Sequence, residues 1–165
     1  MSQSGTAEVD AVMTAIGAAV EGGRAGDKVQ AREALTRLWE QVGSAGDPLH
    51  RCSIAHYLAD LQDAVEDELL WDQRAMAAVV DLNDERAQRF HQSLQVRGFL
   101  PSLHLNLADD YRRIGDRDRA EHHVEAAREL TDELPSDDYG SMLRGAIGQV
   151  AELLEAGSRA PLTAQ

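Results

Sequence analysis

Apolar residues recur at i, i+4, i+7 and i+11 in six separate stretches, the spacing of a helix that buries one face. The stretches are Val9-Met13-Ile16-Val20, Ala31-Leu35-Leu38-Val42, Ile54-Leu58-Leu61-Val65, Leu103-Leu107-Ile114 with Tyr111 between, Ala120-Val124-Ala127 leading to Leu130 and Leu134, and Leu143-Ile147-Val150-Leu154. A seventh, from about Asp67 to Leu82, is apolar on two faces: Leu69, Met76 and Val80 on one, Trp71, Ala75 and Ala78 on the other. Such a helix is expected between two neighbours. A weaker eighth spans 84–96 with Ala87, Phe90 and Leu94. No long run alternates with period two, and aromatics are only 4% of the chain, which disfavours strands. The expected fold is all-α, with seven or eight helices.

The punctuation agrees with that reading. Asp27 and Gln30 have the spacing of an N-cap and its capping-box partner. Asp47-Pro48 and Ser136 read as helix starts, and Pro48 and Pro101 suit first turns. Gly22, Gly23, Gly43, Gly98, Gly115 and Gly157 mark expected stops. Short links make consecutive helices antiparallel neighbours. Residues 157–165 lose the period and read as a frayed tail.

Bulk properties narrow the function. An apolar fraction of 43% and a charged fraction of 27% suit a globular chain with a proper core. No apolar run is long enough to span a membrane, and Met1–Thr6 does not begin a secretory signal. Cys52, the single cysteine, lies in an apolar pattern and reads as a small core residue in a cytoplasmic protein. The net charge of −13, from 29 acidic and 16 basic residues, argues against nucleic acid; it serves solubility, and a basic partner is the sharper alternative. Lys28 is the only lysine, an arginine bias that goes with a GC-rich bacterial genome.

Gly26-Asp27 and Gly115-Asp116 stand at the same offset before Ala31 and Ala120, each between two amphipathic stretches. From Ser102 to about Pro135, His104, Leu107, Ala108, Tyr111, Ala120, Val124 and Ala127 fall at the signature places of a helix pair, and the segment resembles a tetratricopeptide repeat. Small residues at 108 and 120 would let two helices approach, with Leu107, Tyr111 and Val124 filling the space around them. The segment 53–82 is a looser copy, with Leu58 and Ala59 in place but Gln62 for the Tyr and Trp71 for the small residue. The first pair matches through Ala31, Leu35 and Leu38. The resemblance implies one domain over 1–165: pairs at about 7–43, 48–81 and 101–134, an inserted helix at 84–96 and a C-terminal helix at 137–156. It implies a right-handed stack whose concave face is lined by the first helix of each pair. It also implies an adaptor or scaffold that binds a protein or peptide, not an enzyme. The groove-lining places would be Ser53, His56, Asp60 and Asp63 in the second pair, and Leu105, Asp109, Arg112 and Arg113 in the third.

No catalytic motif stands out, and neither cofactor nor metal is expected. His50 and His56, or His122 and His123, lack the spacing that would place two ligands on one helical face. Glu66-Asp67-Glu68 reads as the acidic first turn of a helix. The segment Gly22–Lys28 lacks the ending and the preceding strand of a phosphate loop. Two alternatives compete with peptide binding: a self-associating subunit such as a homodimer, and, less favoured, an enzyme using His56 with Asp60.

Overall fold

The computed structural model describes residues 10–79, 96–131, 134 and 136–162. Among them are seven helices and no strand: α1 (Ala11–Arg24), α2 (Lys28–Val42), α3 (Pro48–Asp60), α4 (Val65–Val79), α5 (Val96–Ile114), α6 (Arg117–Glu129) and α7 (Asp138–Glu155). Each packs on its neighbour in the chain; α3 also touches α1, and α7 also touches α5. No helix among the described residues is long and apolar enough to cross a membrane. The expected helix at 84–96 lies outside the described residues, apart from Val96.

The helix ends have local causes. Asp10 caps α1 by accepting from the amides of Val12 and Met13, both at 3.1 Å. Asp47 does the same for Leu49 ahead of Pro48, and Asp137, not Ser136, caps α7. Asp27 stands at the start of α2, but its side chain makes no capping bond, so the expected capping box does not form. Gly43, Gly115 and Gly157 end helices with positive φ; Gly22 and Gly23 lie inside α1, and Gly26 makes that turn instead. Gly98 is likewise helical. The fifth helix begins at Val96, which puts Pro101 inside it and not in its first turn.

Three apolar clusters follow one another along the chain. Ile16, Leu35, Ile54 and Leu58 join α1, α2 and α3. Leu49, Cys52, Ala55, Ala75, Ala78 and Leu103 join α3, α4 and α5. Leu107, Ala108, Ala120, Val124, Ile147 and Val150 join α5, α6 and α7. Ala108 and Ala120 are fully buried, as the close approach of α5 and α6 requires. Trp71 is half-buried between the first two clusters, edge-on to Trp39 with ring centroids 5.1 Å apart. The most enclosed helix is α3: Leu49, Cys52, Ile54, Ala55, Leu58 and Ala59 are all at 0% exposure, because α1, α2 and α4 cover it from different sides.

Candidate functional site

The helical repeat positions a polar cluster where α4 meets α5. Glu68 and Asp72 stand one turn apart on α4, and Asn106 and Asp110 one turn apart on α5, so each pair shares a face. One oxygen from each of Glu68, Asp72 and Asp110 lies within 4.8 Å of the other two. Asp72 and Asp110 are 1% and 0% exposed. Asn106 Nδ2 donates to Asp72 Oδ1 at 3.2 Å, and Arg113 Nη2 donates to Asp110 Oδ1 at 2.9 Å and to Glu68 Oε1 at 2.7 Å. No donor group of another described residue reaches the second oxygen, Oδ2, of either aspartate, and the two carboxyls hydrogen-bond each other through a shared proton. Burial pushes both carboxyls well above the usual carboxylate range, and the charge of Glu68 adds to it; the hydrogen bond between the two aspartates raises Asp110 further and holds Asp72 back. At neutral pH the pair therefore carries a proton.

His56 on α3 borders this cluster, its Nδ1 3.5 Å from Asn106 Nδ2. Burial lowers its pKa, against the pull of Asp60, so it is neutral near pH 7. Asp60 stands exposed, yet the surrounding protein crowds its carboxyl enough to raise it. His56 opposes that rise and Glu68 adds to it.

The eight expected groove residues do not share one open face. Ser53 is buried, and Leu105 belongs to the core that α5 shares with α6 and α7, where a groove residue would face solvent. Asp63 lies after the end of α3 and turns to α2, pairing with Lys28 at 2.8 Å and Arg32 at 3.3 Å, which hold its carboxyl low. Asp109 and Arg112 are buried and paired, and Arg112 also donates to the Ser158 carbonyl at 2.8 Å. Arg113 is committed to Glu68, Asp109 and Asp110. Of the eight, His56 and Asp60 lie beside the polar cluster on its α3 side, and Arg113 reaches into it. Around Asp60 lies a pocket of about 190 Å³ lined by Ala19, Val20, Gly23, Arg24, Ala31, Tyr57 and Leu61.

Glu68, Asp72, Asn106 and Asp110 are absent from the sequence-based site, although a signal for the two aspartates exists. In Val65-Leu69-Asp72-Met76 and in Leu103-Leu107-Asp110-Ile114, an aspartate takes the third place of the apolar template. A carboxylate on a buried stripe is costly, and two that face each other make a site.

A second cluster sits between α5 and α6. His104 Nδ1 and His123 Nδ1 are 2.9 Å apart, and His123 stacks on Tyr111 at 5.5 Å. Burial lowers both histidines, and the positive charge of neighbouring imidazoles lowers them further. Compared with known protein families, curated proteins and solved structures, the chain matches none.

Proposed function

We propose that the chain is a helical-repeat module that binds a protein or peptide, and that the pocket beside Asp60 receives a basic side chain of that ligand. The reading includes a right-handed stack of tetratricopeptide-like pairs, supported by the buried alanines between α3 and α4 and between α5 and α6. One observation carries it: apolar walls from α1, α2 and α3 enclose a pocket with an exposed carboxylate at its edge. Lysine and arginine have that composition, with methylenes to bury and a cation to place at the rim. The net charge of −13 would draw a basic ligand toward the surface at low salt. Arg24, which also lines the pocket, gives it mixed charge and would meet a neighbouring acidic residue of the ligand.

Fluorescence anisotropy tests this with two labelled peptides, one bearing Arg and Lys among apolar residues and one with those replaced by Glu. The basic peptide should bind and weaken as salt rises. Asp60→Lys should bind it at least about tenfold less tightly, a difference of about 1.4 kcal/mol, at unchanged helical content. Undiminished binding by that variant would remove the pocket from the interaction.

A second reading, self-association through α7, is favoured by Met142 and Tyr139, which are 61% and 48% exposed on that helix. Light scattering of the wild type and of Met142→Glu separates it from the first.

A further inference from the structure

We propose that Glu68, Asp72 and Asp110 bind a hard divalent cation between α4 and α5. Three features carry the inference. One oxygen of each carboxylate lies within 4.8 Å of the others, and oxygens around an ion at about 2.1–2.5 Å stand at such separations. Asp72 and Asp110, almost wholly removed from water, each present an Oδ2 atom that no donor group of another described residue reaches. Buried carboxylate oxygens are ordinarily paired or coordinated. Among the described residues the cation in contact with Glu68 and Asp110 is Arg113, which is shared with Asp109, so three clustered carboxyls face a single guanidinium.

The donor set selects the ion. Three carboxylates with neither sulfur nor imidazole among them suit Ca²⁺, Mg²⁺ or Mn²⁺, not zinc or copper. Glu68 offers the way in, since its side chain is 24% exposed while the two aspartates lie beneath it. When the ion enters, Arg113 gives up Glu68 and Asp110 and keeps Asp109, which it already holds at 2.8 Å through Nε. Binding would tie α4 to α5 and so stabilise the middle of the stack. The inference is independent of the peptide reading, because Asp60 is not one of the three ligands.

The test uses the full chain, stripped with a chelator and titrated separately with Ca²⁺, Mg²⁺ and Mn²⁺ by calorimetry, with thermal midpoints alongside. One saturable site per chain is expected for at least one of these ions, with a rise in midpoint at saturation. Asp72→Asn and Asp110→Asn should fold, with midpoints in chelator no lower than wild type, and should lose both the site and the ion-dependent rise. Glu68→Gln, at the partly exposed rim, should weaken binding at least tenfold and serves as the test if either aspartate variant does not fold. Glu66→Gln, exposed in the first turn of α4, should bind as wild type does. Failure of all three ions to bind saturably one to one would overturn the proposal. Binding that persists in the aspartate and glutamate variants would overturn it equally, since the ions would then be collecting on the acidic surface.

Discussion

Arg159 donates through Nε to the backbone carbonyl of Arg113 at 3.0 Å, so the segment after the last helix closes the C-terminal end of α5. Its Nη2 donates to the Ile114 carbonyl, also at 3.0 Å, and Arg112 returns a bond to the Ser158 carbonyl. The last carbonyls of a helix lack intrahelical donors and carry its negative pole, so a guanidinium there meets both needs. The stretch expected to fray is thus docked as far as Arg159. Arg159→Ala should lower stability by about 1 kcal/mol, read as a shifted urea midpoint at constant slope. Arg159→Lys should recover only part of it, because an ammonium cannot fork onto two carbonyls.

Close packing between α5 and α6 rests on Ala108 and Ala120, each at 0% exposure. Ala120→Leu would take the side chain from one carbon to four, forcing three extra carbons into a filled space. The expected loss is about 1–3 kcal/mol, measured by thermal or denaturant unfolding. An unchanged midpoint would mean that the two helices are not in close contact at this place.

The helices were legible because burying one helical face leaves a period in the sequence, and the apolar template marks residues in all seven. Their edges were less so. Pro101 and Gly98 read as boundaries, yet α5 runs through both, its apolar face held by packing on α4. The groove residues followed from a register that leaves the first helix of each pair open on one side, whereas Leu105 packs into the core that α5 shares with α6 and α7, and Arg112 is buried against Asp109 and the Ser158 carbonyl. At Asp72 and Asp110 the informative fact is a charge where the template calls for an apolar residue, and only the packing of α4 on α5 shows that the two carboxyls meet.

Cys52 is fully buried in the cluster joining α3, α4 and α5, and burial pushes its thiol up to about 12. Both access and thiolate are therefore lacking in the folded chain. A thiol reagent at pH 8 should leave it unmodified in buffer and label it rapidly in denaturant. The slow rate in buffer should follow unfolding of the α3–α5 core, so that Ala120→Leu, which acts in the neighbouring cluster, accelerates it only if the clusters open together. Fast labelling of the native wild type would contradict this burial.

His123 supplies a pH dependence whose sign is fixed by its surroundings. Burial first, then the charges of His104 and His122, lower its pKa to about 4, against 6.5 for a free imidazole. Between those values the unfolded chain takes up a proton that the folded chain refuses. Stability therefore falls as pH drops from about 6.5 toward about 4, and above about 6.5 this contribution is constant. The geometry gives the reason. The two facing Nδ1 atoms of His104 and His123 are 2.9 Å apart, so one must donate and the other accept, and a proton on both would set two donors against each other. His123→Phe keeps a ring to stack on Tyr111 but cannot take up the proton. Thermal midpoints of wild type and variant, followed from pH 7.5 to pH 4.5, should diverge in slope below about 6.5, with the wild type falling more steeply. Other groups titrate in both chains, and the difference between them isolates His123. Parallel curves would show that His123 protonates as easily in the folded chain as in the unfolded one, and that the contact with His104 carries no such cost.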